Sequence, residues 1–414
     1  MSLSTPATIL LAFVGLYPVV SAGFWIAGAL VFHVFEERVE LSEPEAGWPG
    51  VTILISAFNE ERVIAACVRA ALAVDYPELE VLVFDDGSED QTAAVAEAAG
   101  GGDPRLCILG DPVNRGKAAR LNRGFEAARH ELVVVTDADT HLHPQALKLL
   151  VARISRSTSI AAVAGAPHVT NQGNLLCAMQ ALEAASIIGL IRRTQAVAGR
   201  VGVIAGVLGI FRREAVLAVG GYRGEMATED IDLTWRLLLA GWHTSYEPDA
   251  LVGMEVPSTL SALWAQRRRW ARGQGEVLHE HSAEIMRRSR RRLWPLALEA
   301  TASLVWVTGL AVATVLVVLV ALGSDDVPAV LLGLAWGIAV SVVATVQLAF
   351  ALRIDFPYDR HTALAFLIGP VYPIAYWMIS AAAALREEVP ALLRGAAERP
   401  VSWDLPRDTE GLQP

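Results

Sequence analysis

The stretch Val81-Leu82-Val83-Phe84-Asp85-Asp86-Gly87-Ser88 joins a short apolar run to an acidic turn. Apolar runs of this length suit strands that are buried on both faces of a parallel sheet. Three similar runs occur nearby, at residues 51–56, 106–109 and 132–135, and helical patterns lie between them. Strands that alternate with helices predict an α/β fold with a parallel sheet and right-handed crossovers. Ligands bind beyond the carboxyl ends of such strands, which is where the acidic turn lies.

The N-terminal segment is apolar enough to cross a membrane. Hydrophobic residues make up 53% of the 414 residues, a high share for a soluble enzyme. Residues 7–35 carry almost no charge and would be about 40 Å long as a helix, enough to span a bilayer. We expect a retained anchor rather than a signal peptide, because no basic segment precedes the run and it continues past the cleavage-like Val20-Ser21-Ala22.

Further apolar runs follow late in the chain, at residues 295–322, 328–352 and 362–385. Pro370 and Pro373 predict that the last of them is kinked or partly re-entrant. Five arginines between Arg287 and Arg292 precede the first late run, and Asp325 and Asp326 follow it. The positive-inside rule then predicts a multi-pass protein of the cell membrane whose middle part is cytoplasmic.

Composition also excludes some classes of partner and site. The net charge of −10 argues against nucleic acid as a partner. Cys67, Cys107 and Cys177 are irregularly spaced in the part predicted to be cytoplasmic. We therefore expect buried thiols rather than disulfides or a zinc site.

These observations divide the chain into five segments. They are an N-terminal transmembrane anchor (1–40), a cytoplasmic α/β domain (50–257), interfacial helices (258–293), a transmembrane region of about three spans (294–386) and a tail (387–414).

Acidic residues follow two of the predicted strands. Asp85 and Asp86 could accept hydrogen bonds from a ribose or a base, and Gly87 lets the chain approach a ligand closely. Asp137 and Asp139 would share one side of an extended backbone, and such hard oxygen donors suit Mg²⁺ or Mn²⁺ held together with a diphosphate. Each motif alone could equally be a solvated turn or a helix cap. Their occurrence at strand ends of one sheet favours a binding site.

Two glycine-containing stretches extend this candidate site. Lys117 follows Gly116 and opens a predicted helix, so it is a candidate phosphate contact, although an ordinary surface charge is the alternative. Residues 203–211, which include Gly206, predict a pair of strands beneath the substrate. His141 and His143 precede Pro144 and are more typical of the start of a helix than of a metal pair.

The segment around Asp230 supplies the candidate base. Thr228 occupies an N-cap position, and Glu229 and Asp230 begin an amphipathic helical pattern. A cap followed by acids is favoured by the helix dipole, which is the structural alternative to catalysis. Downstream, Gln266-Arg267-Arg268-Arg269-Trp270 lies in an amphipathic segment, 260–277, just before the membrane. There an arginine can bind a diphosphate and a tryptophan can stack on a sugar, or both can simply lie at lipid headgroups.

Taken together, these motifs resemble those of the processive family 2 glycosyltransferases, which include cellulose, chitin and hyaluronan synthases. The resemblance rests on four motifs followed by apolar spans: Asp-Asp-Gly-Ser (85–88), Asp-Ala-Asp (137–139), Thr-Glu-Asp (228–230) and Gln-Arg-Arg-Arg-Trp (266–270). Within the family it is strongest to the bacterial poly-β-1,6-N-acetylglucosamine synthases, on residues 183–195, residues 205–213 and the single short anchor. It covers about residues 51–322.

The resemblance implies a glycosyltransferase A domain, which is nucleotide-sugar-binding and Rossmann-like, inserted between transmembrane helices. It implies Asp230 as the base with Glu229 beside it, and Asp139 on the metal. The residues it implies in substrate binding are Ala57, Asn59, Glu60, Asp86, Lys117, Asp137, Gly206, Gln266, Arg269 and Trp270. Ala57-Phe58 departs from many relatives, and the tail is too short for a cyclic-dinucleotide-binding barrel.

The resulting expectation is a membrane-embedded enzyme that transfers N-acetylglucosamine from UDP-N-acetylglucosamine to a growing β-linked polysaccharide, with inversion, and passes it across the bilayer. A small accessory membrane subunit is a further partner that the family allows. A chitin- or hyaluronan-type product and a non-processive lipid-linked sugar transferase remain alternatives. A non-catalytic membrane sugar-binding protein would need neither Asp230 nor the metal pair.

Overall fold

Within the described residues, a mixed sheet of eight strands forms the centre of the protein. The structure is a computed structural model, and it describes residues 5–39, 42–171, 173–323, 327–358 and 372–396. The strands are β1 (Val51–Ala57), β2 (Leu79–Asp85), β3 (Leu106–Gly110), β4 (Leu132–Asp137), β5 (Thr140–Leu142), β6 (Ile160–Val169), β7 (Gly209–Arg212) and β8 (His243–Met254).

Helices surround the sheet and continue beyond it. The helices of the sheet region are α1 (Thr5–Phe32), α2 (Ile64–Leu72), α3 (Thr92–Gly100), α4 (Lys117–Ala127), α5 (Ala146–Ser155), α6 (Leu175–Glu183), α7 (Leu190–Val197), α8 (Arg213–Ala218) and α9 (Glu229–Leu239). The later ones are α10 (Leu260–Ile285), α11 (Trp294–Gly323), α12 (Val327–Asp355), α13 (Tyr372–Ala383) and α14 (Val389–Arg394). The arginine-rich segment Arg288–Leu293 forms a short 3₁₀ helix before α11.

The strand order is β3-β2-β1-β4-β7-β6-β8-β5. The first four strands of the chain pair in parallel, whereas β7 runs antiparallel to both β4 and β6. The predicted α/β class and the parallel arrangement of the first four strands are therefore confirmed. Because β1, β2 and β4 run in the same direction, their carboxyl ends meet at one edge of the sheet.

The two faces of the sheet are buried under different helices. Val51, Ile53 and Ile55 of β1 belong to the apolar cluster that contains α2 and α5, while Leu54 points to the cluster that contains α4 and α9. This alternation is the two-residue period of a strand that is covered on both sides. Because both faces of the strand are buried, its residues form a continuous apolar run in the sequence.

Three helices in the described parts are long and apolar enough to cross a membrane. They span Ile9–Glu37, Arg288–Leu316 and Gly337–Asp355. The predicted anchor and the first two late runs coincide with these helices, which is consistent with membrane association. Much of the third late run, 362–385, lies outside the described residues, as does the tail after residue 396.

The expected strand pair and the expected burial of all three thiols were both wrong. The predicted strand pair at residues 203–211 is only the single strand β7, because the amide of Ile204 donates to Thr234 Oγ1 (3.2 Å) on α9 instead of to a neighbouring strand. Cys107 is exposed on the edge strand β3, in contrast to the buried Cys67 and Cys177.

Candidate active site

The turn after β2 is held together by the carboxylate of Asp86. Asp86 is 4% exposed, and its carboxylate accepts hydrogen bonds from the amides of Arg115 (2.9 Å) and Gly116 (2.8 Å). Arg120 of α4 forms an ion pair with the same carboxylate. Asp86 therefore stabilises the loop before α4. It can contribute to nucleotide binding by positioning this loop, or by contacting the nucleotide directly after these hydrogen bonds rearrange.

The loop after β1 is joined to the loop after β2 by side chains that bind backbone amides. The amides of Asn59, Glu60 and Glu61 donate to Ser88 Oγ (2.9 Å), Thr92 Oγ1 (2.7 Å) and Asp90 Oδ2 (3.1 Å). These contacts hold the segment in a non-helical conformation, and α2 begins only at Ile64. The structure thus brings Ala57, Asn59 and Glu60 next to the Asp86 turn, where the carbonyl of Ala57 accepts from the Asp86 amide (2.9 Å).

Lys117 lies between acids that are far apart in the sequence. Its ammonium forms an ion pair with Asp137 and lies 3.9 Å from Glu229 Oε1. Burial disfavours the charged form of this lysine, but the carboxylates of Asp137, Glu229 and Asp230 outweigh burial and raise its pKa. A Cβ atom built on Gly206 would lie 2.9 Å from Lys117 Nζ, so glycine at this position leaves room for the lysine.

Asp139 follows β4 in a turn rather than in extended backbone. The strand alternation that would place it on the same side as Asp137 therefore ends before it. Burial raises the pKa of Asp139 to about 7, and the charge of Asp137 contributes in the same direction. A carboxylate that is costly to ionise beside another acid fits the binding of a divalent cation.

The described residues contain no group of three or more His, Cys, Asp or Glu side chains that could hold a metal ion by themselves. Mg²⁺ in enzymes is commonly bound by one or two carboxylates together with substrate phosphates and water. The Asp137–Asp139 segment suits such a site, in which substrate phosphates and water would complete the set of ligands.

Glu229 and Asp230 differ sharply in environment although they are adjacent. Glu229 is 5% exposed, and burial raises its pKa, as does the charge of Asp230, while Lys117 opposes this shift. Asp230, the second residue of α9, is half-buried and its Oδ1 accepts from the amide of Ile231 (2.9 Å). Of the two acids, Asp230 is therefore the one that a substrate can reach.

Thr228 precedes α9 but does not cap it. Its side chain accepts no hydrogen bond from the first turn of the helix, and its buried Oγ1 has no hydrogen-bond partner among the described residues. The expected capping bond is absent because the side chain packs against Gly273 of α10.

Helix α10 carries the remaining motif to the same site. Arg269 Nη1 lies 3.5 Å from the carbonyl oxygen of Ala227, at the long limit for a hydrogen bond. The guanidinium of Arg267 lies 4.3 Å from the centre of the Trp270 ring and covers one of its faces. The buried Oε1 of Gln266 makes no hydrogen bond within the described part of the chain. A buried acceptor of this kind is suited to a ligand hydroxyl or amide.

The sequence did not single out Glu276 and His281, which contact the Asp230 segment from α10. Glu276 Oε2 accepts from the amide of Ala227 (2.8 Å), and His281 Nε2 lies 2.8 Å from Asp232 Oδ1. Helical spacing was the available signal for Glu276, because residues 269, 273 and 276 follow the i, i+4, i+7 pattern of one face.

The assembled site contains an accessible carboxylate, a buried ion-pair cluster, an acidic turn suited to a metal and a helix bearing Arg269 and Trp270. An accessible base can take a proton from an attacking hydroxyl, while cations stabilise a departing anion. This arrangement suits group transfer from a diphosphate donor to an alcohol.

Comparisons with known proteins agree with this chemistry. Residues 49–273, more than half of the chain, match the family described as glycosyltransferase like family 2. A poly-beta-1,6-N-acetyl-D-glucosamine synthase of Staphylococcus epidermidis is 31% identical over 395 residues, which cover 91% of this chain and 93% of the relative. The enzyme of the same name from Staphylococcus aureus strain COL is 33% identical over 386 residues, covering 89% and 91%.

The fold also has a counterpart among solved structures. The mannosyltransferase PcManGT from Pyrobaculum calidifontis, in complex with GDP-Man and Mn²⁺, superimposes with a TM-score of 0.63 at 20% identity. The match covers 89% of this chain and 99% of the mannosyltransferase. The expected glycosyltransferase A fold is confirmed, and the chain belongs to glycosyltransferase family 2.

Proposed function

We propose that this protein is a processive, inverting glycosyltransferase that polymerises N-acetylglucosamine from UDP-N-acetylglucosamine into a β-1,6-linked polysaccharide. The observation that carries the proposal is the position of Asp230. This accessible acid lies beside the buried pair of Lys117 and Glu229, on the side of the site where Arg269 of α10 approaches Ala227. The names of the staphylococcal relatives support the sugar and the linkage.

In the proposed reaction, the hydroxyl oxygen of the acceptor sugar attacks C1 of the donor sugar from the side opposite the diphosphate. Asp230 accepts the proton of that hydroxyl as the new C–O bond forms. The bond between C1 and the diphosphate oxygen breaks, and UDP leaves with the electron pair. Arg269 offsets the negative charge that develops on the leaving group.

Glu229 and Lys117 do not react in this step but set the charge of the site in which it occurs. Lys117 neutralises Asp137 and approaches Glu229, so the wall of the site carries less net negative charge toward an anionic donor. Asp139 would hold a Mg²⁺ or Mn²⁺ ion together with the diphosphate oxygens. Such an ion, when bound, supplies further positive charge to the leaving group.

The membrane part completes the proposed function. The anchor and the late apolar helices form the path by which the polymer leaves the cytoplasmic domain, and the arginine-rich segment before α11 lies on the cytoplasmic side. Control by an accessory membrane subunit would act on this part of the protein.

The test is polymer formation by the purified protein in lipid nanodiscs, supplied with radiolabelled UDP-N-acetylglucosamine and Mg²⁺ or Mn²⁺. We expect a product of high molecular mass that a β-1,6-specific hydrolase degrades and that chitinase and hyaluronidase leave intact. Degradation by chitinase would instead assign a chitin-type product. Label found only in a lipid extract would assign a non-processive lipid-linked transferase.

The catalytic role is tested by Asp230→Asn, which keeps the size of the side chain but removes the base. Loss of a general base typically costs about 10²–10⁴ in rate, so polymer formation should fall by that factor. Binding of UDP, measured by calorimetry, should persist because the diphosphate contacts lie elsewhere. Polymer formation at the wild-type rate would show that Asp230 is only a residue of the first helical turn.

A further inference from the structure

The segment that carries Asp230 is held by α10 on both sides of this acid. Glu276 Oε2 accepts from the amide of Ala227 (2.8 Å), three residues before Asp230. His281 Nε2 lies 2.8 Å from the carboxylate of Asp232, two residues after it. The three polar residues are almost completely buried, with exposures of 1% for Glu276, 5% for His281 and 0% for Asp232. Buried hydrogen bonds of this kind fix local geometry, because water cannot replace a lost partner.

Close packing removes the remaining freedom between the two segments. A Cβ atom built on Gly273 would overlap both Oγ1 and Cγ2 of Thr228. Thr228 is 3% exposed and lies directly between Ala227 and Glu229 in the chain. The backbone before α9 therefore rests on α10 at van der Waals distance, and only glycine permits this approach.

The carboxylate of Glu276 is itself oriented by its own helix. Its Oε1 accepts from Arg272 Nε (2.7 Å), one turn earlier on α10, which leaves Oε2 directed at the Ala227 amide. Residues 269, 273 and 276 share one face of the helix. This face therefore carries Arg269, the contact with Thr228 and the acceptor for Ala227.

We propose that Glu276 is a positioning residue for sugar transfer, which holds the Ala227 amide and thereby sets the place of Asp230. The proposal rests on the function proposed above for Asp230. The same helix carries Gln266, Arg269 and Trp270, so α10 positions both the base and the acceptor site. Transfer rates are sensitive to such placement, and a displacement of about 1 Å can cost about 10²-fold.

The experiment compares Glu276→Leu with Glu276→Gln in the full-length protein in nanodiscs. Glu276→Leu leaves the Ala227 amide without an acceptor, so we expect kcat for sugar transfer to fall by about 10- to 100-fold. The KM for UDP-N-acetylglucosamine and the affinity for UDP should stay within about two-fold, because the donor contacts are not altered. Glu276→Gln keeps a carbonyl oxygen for the amide and should recover most of the wild-type kcat.

A matched control is Glu280→Gln, one turn further along α10. Glu280 is exposed and binds Arg223 at the surface (3.1 Å), so its neutralisation should leave kcat unchanged. Gly273→Ala is a second variant, which disturbs the packing of Thr228 on α10 but retains Glu276. The added methyl group must displace Thr228, and kcat should again fall while UDP affinity persists.

The proposal is overturned if Glu276→Leu transfers sugar at the wild-type rate. It is also overturned if the leucine and glutamine variants lose kcat and UDP affinity in parallel, which would indicate a contribution to the donor site or to folding. If Glu276→Leu does not fold, Gly273→Ala decides, and an unchanged kcat in that variant rejects the proposal. An active Asp230→Asn variant would instead reject the catalytic role of Asp230, whatever the Glu276 variants do.

Discussion

At the scale of single residues, Trp270 is held by a polar cluster on one of its faces. Arg267 stacks on the ring and donates to both carboxylate oxygens of Glu183 (3.0 and 2.6 Å). It also donates to the hydroxyl of Tyr376 on α13 (2.5 Å). The orientation of Trp270 is therefore tied to a helix of the late apolar region. A ring oriented in this way can offer its other face to the terminal sugar of a growing chain.

This arrangement predicts different effects for two tryptophans of α10. Trp270→Ala should retain UDP binding but yield only short oligomers, because stacking contacts of about 1 kcal/mol each help to retain the chain between transfers. Trp264→Ala, six residues earlier on the same helix, should keep the product length. Radiolabelled products of the two variants are compared on one gel. Equal lengths would mean that Trp270 has no role in retaining the chain.

The acidic turn after β4 predicts dependence on a divalent cation. Asp139→Ala should remove activity and also the metal-dependent part of UDP affinity, because the ion would be held jointly by this carboxylate and the diphosphate. Both quantities are measured with Mg²⁺, with Mn²⁺ and with EDTA. Asp103→Ala, which alters a surface carboxylate on the loop before β3, is the control. Full activity in EDTA would exclude the ion from the mechanism.

At the scale of elements, helix α9 is anchored by Asp232, which is fully buried. Its carboxylate binds Arg236 (2.7 Å) and His281 (2.8 Å), and Arg223 lies 3.8 Å away. Burial alone would raise the pKa of Asp232, but the hydrogen bond from His281 and the charge and hydrogen bonding of Arg236 outweigh it and lower the pKa. The folded state therefore favours the ionised carboxylate.

The sign of this shift predicts how stability depends on pH. The contribution of Asp232 is fully present above the pKa of an unfolded aspartate, about 4, and is lost as the pH falls through the lower folded value. Asp232→Asn should lose part of this acid dependence. It should also destabilise the protein by about 3 kcal/mol at pH 7, because Arg236 would be left without its buried partner.

Thermal unfolding in detergent between pH 7 and pH 3 measures this effect. Asp103→Asn serves as the control, because Asp103 pairs with Arg105 at the surface and its loss should change stability little. Identical pH profiles for the wild type and Asp232→Asn would contradict the prediction.

At the scale of the whole molecule, one buried arginine joins the N-terminal apolar segment to the α/β domain and to a late apolar helix. Arg193 of α7 binds Glu37, at the cytoplasmic end predicted for the anchor (3.1 Å), and Asp355 at the end of α12 (2.7 Å). Tyr358 donates a further hydrogen bond to Glu37 (2.6 Å). Three parts that are distant in sequence therefore share one network in which Arg193 is 1% exposed.

Removing the shared cation should loosen this junction. Arg193→Met leaves the buried carboxylate of Glu37 and the half-buried carboxylate of Asp355 without their common partner, and we expect a loss of about 3 kcal/mol. Arg156→Met removes a more exposed arginine, which binds the neighbouring Glu36 (2.6 Å), and should cost less than about 1 kcal/mol. The two variants are compared by thermal unfolding and by protease sensitivity of the segment after the anchor. Equal losses would show that the junction contributes no more than a surface ion pair.

The sequence by itself determined the fold class, the candidate spans and the identity of the four motifs. Strands buried on both faces require continuous apolar runs, and membrane spans require long ones. Both kinds of element can therefore be recognised from the local sequence. The acidic motifs at residues 85–86 and 137–139 could be identified from the sequence for the same reason, because each motif lies at the end of a predicted strand.

Only the tertiary structure decided how these residues are used. Lys117, which the sequence predicts as a phosphate contact, pairs with Asp137 and approaches Glu229, 112 positions further along the chain. Thr228 was expected to cap α9 but faces Gly273, and Glu276 supports the Ala227 amide from a separate helix. Such contacts depend on how α9, α10 and the sheet pack together. No local preference specifies them, because the free energy that selects them comes from burying side chains of several elements at once.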